Sequence, residues 1–161
     1  MKLFFIIIIL SIKTFSFGQK DFFKNREVDL ELGINIGSVK PTAEIGLSIL
    51  NNFPEFSPHP FCSDALILAT EFNYSNNQLL FAPKLTYSYN LIFVNFSVSL
   101  IDYNYNNLNG FFFRPNLGLT TMGCVDLVYG YNIPLQHELY FVNTHTITLR
   151  CRLFSTVKAL F

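Results

Sequence analysis

Alternation of apolar and polar residues at every second position is the feature that most constrains the fold of this chain. It is clearest in the closing segment, THTITLRCRLFSTVKALF, residues 144–161. Positions 147, 149, 151 and 153 are Ile, Leu, Cys and Leu, whereas positions 146, 148, 150 and 152 are Thr, Thr, Arg and Arg. Successive side chains of a β-strand point to opposite faces, so this pattern predicts a strand with one apolar and one polar face.

Segments with the same alternation follow one another along the chain. We predict eight strands, at residues 28–37, 43–50, 65–74, 79–90, 91–101, 111–120, 125–132 and 144–161. Most are close to the roughly 9 to 11 residues that a tilted strand needs to cross a bilayer. An even number of antiparallel strands lets a sheet close and removes both edges. The pattern therefore predicts an all-β fold, an antiparallel up-and-down transmembrane β-barrel of about eight strands in meander order.

The connections between these segments contain turn residues. Residues 102–110 end in Asn109-Gly110, a strong signal for a hairpin turn. Residues 51–62, which join the second and third strands, contain three prolines and are predicted to form a loop.

The first 18 residues have the layout of a secretory signal peptide. A basic Lys2 precedes an apolar run from Leu3 to Ile12, and Ser16 and Gly18 are small residues at positions −3 and −1 of a cut after Gly18. A membrane anchor is the alternative, but the run is interrupted by Lys13 and is shorter than the roughly 20 residues a spanning helix needs. We predict a signal peptide at 1–18 and a single barrel domain at 19–161.

The composition argues against an ordinary soluble domain. Charged residues make up 14% of the chain, against about 25% in typical soluble domains. Without Lys2 and Lys13, 9 of the 11 basic side chains remain against 11 acidic ones, so the balance gives no reason to expect nucleic acid as a partner. Half of the residues are apolar, although no stretch after Gly18 approaches a transmembrane helix.

Two kinds of barrel share this alternation, and the polar face distinguishes them. A soluble carrier has the apolar face inside, whereas an outer-membrane barrel has it outside, against lipid. The polar face here consists mostly of Gly, Ser, Thr and Asn rather than the long charged side chains of a solvated exterior. The apolar face carries bulky Phe, Leu, Ile and Tyr, more volume than an eight-stranded interior easily holds. We therefore predict that the polar face is inside.

Alternation then assigns individual side chains to the two faces. We expect a paired polar network in the lumen, because unpaired charges in a narrow interior are costly; its members are Asp29, Glu31, Glu44, Glu71, Lys84, Arg114, Asp126, Arg150 and Arg152. The residues expected to face lipid are Ile34, Leu47, Phe96, Phe113, Leu127 and Leu149. Solvated charges on a soluble sheet are the alternative interpretation of the polar set.

The sequence contains no recognisable catalytic, metal or cofactor site. His59, His137 and His145 fall outside strands or at their margins, and no Ser-His-acid set is recognisable from spacing. His59 and Cys62 would supply only two ligands, whereas a structural zinc site needs four. No phosphate-binding loop is present. A Cys62–Cys124 disulfide receives no support from spacing, and the cysteine count is odd.

The whole region from Arg26 to Phe161 resembles the small eight-stranded outer-membrane barrels of Gram-negative bacteria, the class of OmpA and OmpX. The resemblance is carried by the signal peptide, the alternating strands, the segment RPNLGLTTMGCVDLVYGYNIPL and the terminal ITLRCRLFSTVKALF. It implies that Phe161 is a recognition signal for the outer-membrane assembly machinery. Connections on the periplasmic side are short in that family, so a long loop at residues 51–62 would be a departure from its pattern.

These observations lead to one expected function and two alternatives. We expect an outer-membrane protein with a plugged, ion-paired lumen, monomeric and non-enzymatic, that contributes to envelope structure or surface interaction; its partners are the lipid bilayer and the assembly machinery. The first alternative is an outer-membrane enzyme that modifies lipids, a class found among barrels of this size. The second is an exported soluble barrel that binds a hydrophobic ligand. A diffusion pore is disfavoured, because an eight-stranded interior only just holds its own side chains.

Overall fold

The computed structural model describes residues 26–52, 62–75, 78–105, 108–121, 124–136, 139 and 141–153. Eight main strands lie in this part of the chain: β1 Arg26–Gly37, β2 Thr42–Asn52, β3 Cys62–Ser75, β4 Gln78–Leu91, β5 Val94–Tyr105, β6 Leu108–Thr121, β7 Val125–Tyr131 and β8 His145–Arg152. After Asn132 the chain of β7 continues into a two-residue extension, Ile133–Pro134, which also pairs with β6.

The sheet closes on itself. Each strand pairs in antiparallel fashion with the next one along the chain, and β8 pairs both with β7 and with β1. The ring therefore has no terminal strand. The prediction of an all-β, eight-stranded antiparallel barrel in meander order is confirmed.

The barrel has two different ends. The first residues of β1 and the last of β8 lie at one end, here called the terminal end, where β2, β4 and β6 end and β3, β5 and β7 begin. At the opposite, distal end, β1, β3, β5 and β7 end and β2, β4, β6 and β8 begin. At the terminal end, Ile92 and Phe93 alone join β4 to β5, and Ile92 has φ 54°, a left-handed conformation that β-branched residues rarely adopt.

Inward and outward side chains alternate along the strands, so the faces of the barrel differ. An outward row runs across seven strand segments in register and is wholly apolar: Leu30, Leu47, Leu68, Leu85, Leu100, Phe113 and Ile133. The inner face is mostly polar, with two apolar clusters, of which the larger lies near the distal end.

The structure corrects the prediction of a loop and turn at residues 102–110. Residues 102–105 continue β5, residues 108–110 begin β6, and Asn109 and Gly110 pair with Asn104 and Tyr103. Gly110 is needed for packing rather than for a turn, because a Cβ atom there would lie 2.5 Å from Cδ1 of Leu139. The fifth strand also begins at Val94 rather than at residue 91, since Ile92 and Phe93 form the preceding turn.

Several predictions fall outside the described residues. These are the signal peptide at 1–18, the central part of the 51–62 loop and the assembly signal at Phe161. They stay predictions, as does a Cys62–Cys124 disulfide, because the side chain of Cys62 is also outside the described part.

Candidate functional site

All nine charged residues expected in the lumen point into the barrel and are buried. None is more than 3% exposed: Asp29, Glu31, Glu44, Glu71, Lys84, Arg114, Asp126, Arg150 and Arg152. Ion pairs join eight of them into one continuous network: Glu31, Glu44, Glu71, Lys84, Arg114, Asp126, Arg150 and Arg152. We call these eight side chains the ionic network.

Strand register brings the network together. One inward row contains, in order around the barrel, Asp126, Arg150, Gly33, Glu44 and Glu71. The adjacent inward row contains Arg152, Glu31, Gly46, Ala69 and Lys84. Acids and bases thus lie in neighbouring rows on six strands, close enough to pair across the sheet.

Gly33 has a specific role in the first row. It lies between Glu44 and Arg150 in register, so these two side chains meet across a strand position that has no side chain of its own. Nε of Arg150 donates a hydrogen bond to Oε1 of Glu44 at 3.0 Å. A Cβ atom on Gly33 would lie 2.6 Å from that same oxygen, so a larger residue would displace Glu44.

Lys84, the last member of the second row, pairs with the last two members of the first row. Its Nζ atom donates to Oε2 of Glu44 at 2.5 Å and to Oε1 of Glu71 at 3.0 Å. Because Glu44 and Glu71 are cross-strand neighbours, the lysine lies between two carboxylates that would otherwise repel each other.

Arg114 links β6 to β3 across the lumen. From β6 its Nη1 and Nη2 atoms donate to both carboxylate oxygens of Glu71 on β3, at 2.6 and 3.2 Å. This is the bidentate arrangement that makes an arginine–carboxylate pair strong. The hydroxyl of Tyr103 donates to Oε2 of Glu71 at 2.6 Å, and Nε of Arg114 donates to Oδ1 of Asn132 at 2.6 Å.

The network continues toward the terminal end through Arg152. Nη2 of Arg152 lies 3.0 Å from Oδ2 of Asp126, and its Nε lies 3.3 Å from Oε2 of Glu31. Beside it, Nδ2 of Asn95 donates to Oδ1 of Asn90 at 2.6 Å and to Oγ of Ser88 at 2.8 Å. Charged and amide side chains together occupy the cross-section at this level, which makes the lumen a packed polar core.

An apolar plug lies at the distal end. Leu139, Phe141 and Val142, from the connection between β7 and β8, are buried inside the barrel. The five barrel residues that form one cluster with them are Leu80, Ala82, Ile101, Tyr103 and Phe112. We call these five the apolar compartment and the three loop side chains the plug.

Asn143 fixes the plug to the rim. Its Oδ1 atom accepts from the backbone N–H groups of Val39 and Lys40 at 2.7 and 3.0 Å, and its Nδ2 donates to the carbonyl of Lys40 at 2.7 Å. The backbone carbonyl of Asn143 accepts from Nδ2 of Asn132 at 2.5 Å. Since Asn132 also binds Arg114, the plug is connected to the ionic network.

The outer face carries the six residues that we expected to face lipid. Five of them are between 49% and 57% exposed: Ile34, Leu47, Phe96, Leu127 and Leu149. Phe113 also points outward and is half-buried. Exposed tyrosines lie toward both ends of this face, with Tyr87 and Tyr89 near the terminal end and Tyr74, Tyr129 and Tyr131 near the distal end.

The described residues form no recognisable catalytic or metal site. No group of three His, Cys, Asp or Glu side chains within the described ranges could hold a metal ion. His145 lies on the outer surface, where its Nδ1 atom is 2.6 Å from the hydroxyl of Tyr129, and the described residues provide no acid that would complete a triad with it. Burial raises the pKa of the Cys124 thiol, which makes it a poor nucleophile.

Two further findings concern classification. No helix in the described part of the chain is long and apolar enough to cross a membrane. No protein-family model matches the chain, and no curated protein or solved structure matches it either.

Proposed function

We propose that this protein is an outer-membrane β-barrel of a Gram-negative cell envelope, with a lumen filled by ion pairs and an apolar plug. It acts without catalysis, in envelope structure or in surface interaction. The observation that carries the proposal is the distribution of side chains, with charges buried inside and a continuous surface of large apolar side chains outside. In water such a surface would aggregate, whereas lipid solvates it.

The position of the tyrosines supports the same proposal. Aromatic girdles mark the two interfaces of outer-membrane barrels, and the exposed tyrosines lie toward the two ends of the outer face, on either side of an apolar row that consists of aliphatic residues and Phe113. The proposal includes a signal peptide at 1–18, a barrel domain at 19–161, and recognition of Phe161 by the assembly machinery. We propose a monomer, because the closed ring offers no strand edge for pairing.

The packed lumen supports a role without transport. Four acids and four bases pair across the centre, and the plug covers the distal mouth.

Neither of the two alternative functions, the soluble carrier and the lipid-modifying enzyme, is favoured by a specific contact. A soluble hydrophobic-ligand carrier needs an apolar interior along the barrel, whereas here the centre is charged. A lipid-modifying enzyme needs an activated nucleophile or a general base, and His145 has only a tyrosine partner among the described residues.

Fractionation with heat modification tests the proposal. The full chain and a variant lacking residues 2–18 would be expressed in a Gram-negative host, and outer membranes would be run on a detergent gel with and without boiling. We expect the full chain in the outer-membrane fraction, with a band that shifts on boiling, and the truncated variant outside that fraction. A full chain found in the soluble periplasm without a shift would overturn the proposal.

A lipid analysis tests the proposal that the protein acts without catalysis. Envelope lipids from cells with and without the protein would be compared by mass spectrometry, and we expect the same acyl pattern in both. A change that disappears in His145→Ala would instead support the lipid-modifying alternative.

A further inference from the structure

The pairing between β4 and β5 stops well before the two strands end. Their register begins at Leu91 and Val94 and ends at Lys84 and Ile101. The same register, continued, would pair residues 83, 82, 81 and 80 with residues 102, 103, 104 and 105, which belong to the two strands but have no such pairing. We call these two stretches, 80–83 of β4 and 102–105 of β5, which pair with β3 and β6 but not with each other, the seam.

The seam begins at a proline. Pro83 has no N–H group to donate to a neighbouring strand, and proline is otherwise confined to edges and bulges of sheets. Pro115 also lies where pairing is interrupted, between β6 and β7, but there pairing resumes at Phe113 and Ile133. Between β4 and β5 it does not resume, whereas the β3–β4 and β5–β6 hairpins are paired out to their tips.

The inner side of the seam is the apolar compartment. Leu80 and Ala82 on β4 and Ile101 and Tyr103 on β5 point inward along or beside the seam and belong to one buried cluster with the plug. The rings of Tyr103 and Phe141 lie edge to face, with centroids 6.4 Å apart. The hydroxyl of Tyr103 marks the lower limit of the compartment, because it donates to Glu71 of the ionic network. Apolar walls with a few fixed polar groups at one side are the usual lining of a site for an apolar ligand; in this structure the plug occupies the space between those walls.

The outer side of the seam continues the lipid-facing surface. Leu79 and Phe81 on β4 are 51% and 53% exposed. On β5 the outward residues are Asp102 and Asn104, which are polar. Polar outward residues on β5 beside apolar ones on β4 suit the region of a membrane where lipid headgroups meet acyl chains. Backbone N–H and C=O groups without a strand partner cost less free energy in that region than in the hydrocarbon core.

We propose that a single hydrocarbon chain of a membrane amphiphile enters the apolar compartment sideways through the seam and takes the place of plug side chains. This inference rests on the proposed membrane location. The exchange replaces the apolar contacts of Leu139, Phe141 and Val142 with those of methylene groups, so little apolar burial is lost. The plug is the resident occupant, and the ionic network limits how deeply the chain can enter.

Fluorescence quenching by brominated acyl chains tests this inference, because the chain contains no tryptophan. Phe112→Trp places a probe in the compartment, and Phe96→Trp places one on the outer face. Each variant, checked for its heat shift, would be reconstituted in vesicles of phosphatidylcholine with brominated or unmodified chains. We expect Phe112→Trp to lose at least half as much fluorescence to bromine as Phe96→Trp.

Closing the seam provides the matched control. Phe81→Cys with Asn104→Cys, in a background where Cys62, Cys124 and Cys151 are replaced by Ser, allows oxidation to link the strands across the seam. We expect oxidation to reduce the quenching of Phe112→Trp severalfold and to leave Phe96→Trp unchanged. Unchanged quenching of Phe112→Trp in the closed form would overturn the sideways route and with it the inference.

The outcomes separate the two proposals. An unquenched Phe96→Trp would contradict the membrane location itself. A quenched Phe96→Trp beside an unquenched Phe112→Trp would overturn only the hydrocarbon site. If Phe112→Trp does not fold, photocrosslinking of the wild-type protein with a diazirine fatty acid in vesicles replaces it: we expect adducts at residues 80–82, 101–103 or 139–142, and adducts confined to outward residues would overturn the inference.

Discussion

Glu44 and Glu71 are direct cross-strand neighbours on β2 and β3, and both carboxylates point into the barrel. Like charges at such positions destabilise a sheet. They are accommodated because Lys84 contacts both, Arg150 pairs with Glu44, and Arg114 pairs with Glu71. The stability of the barrel centre therefore depends on the cations that separate and neutralise these two acids.

Replacement of Lys84 by methionine tests this dependence. Lys84→Met keeps most of the side-chain volume but leaves Glu44 and Glu71 without their shared cation. We expect the free energy of unfolding to fall by about 3 to 5 kcal/mol, the usual loss when one partner of a buried ion pair is removed. Urea unfolding in lipid vesicles measures it. Adding Glu44→Gln should recover part of the loss, and a variant as stable as the wild type would contradict the account.

Two substitutions of Arg114 separate the contribution of its positive charge to stability from that of its bidentate contact. Arg114→Lys keeps the positive charge but loses the bidentate contact with Glu71, whereas Arg114→Met loses both. We expect Arg114→Met to cost about 3 to 5 kcal/mol and Arg114→Lys to cost clearly less. The same unfolding assay compares them. Equal losses would show that the charge of Arg114 contributes nothing beyond its geometry.

Ile92 offers a stabilising substitution. Its φ of 54° is in the left-handed region, which costs an L-residue roughly 1 to 2 kcal/mol but is tolerated by asparagine. The side chain is 47% exposed, so little packing is lost on replacement. We expect Ile92→Asn to raise the free energy of unfolding by about 1 kcal/mol. Phe93→Asn, at the neighbouring turn position, is the control and should not have this effect; a destabilised Ile92→Asn would refute the prediction.

Asn143 controls how firmly the plug is held. Asn143→Ala removes three hydrogen bonds to the β1–β2 turn. We expect faster amide hydrogen exchange at residues 141–143, severalfold above the wild type, with unchanged protection in β3 and β4. Thr144→Ala, at an exposed position, serves as the control. Equal exchange in the two variants would mean that the hydrogen bonds of Asn143 do not hold the plug.

The sequence predicts which face each charged residue occupies, but not which residues meet. Alternation assigns Glu44 and Arg150 to the interior from their own strands. Their contact across Gly33 depends on the register of three strands, which turn lengths and barrel closure determine. No pattern within a single strand therefore predicts that Gly33 lies between Glu44 and Arg150.

Other parts of the site were missed for identifiable reasons. The turn signal of Asn109-Gly110 predicts a loop at Tyr103, although the alternation continued beyond Ile101 points its side chain inward, as the structure has it. Leu80 and Phe112 are inward apolar residues beside outward apolar ones, and such unbroken runs indicate a strand buried on both faces. The plug residues follow neither the alternation of a strand nor the period of a helix, so their burial could not be predicted from the sequence. It follows only from the tertiary packing around Leu139.

The most direct test of the central claim is the effect of arginine on the outer face. Leu47 lies in the registered apolar row and is 55% exposed, whereas Val39, in the β1–β2 turn, is 48% exposed. If lipid surrounds the barrel, Leu47→Arg should lower the free energy of unfolding in vesicles by about 2 to 4 kcal/mol, and Val39→Arg by at most about 1. If Leu47→Arg is neutral, or makes the protein soluble and folded without detergent, the outer face does not contact lipid and the account is wrong.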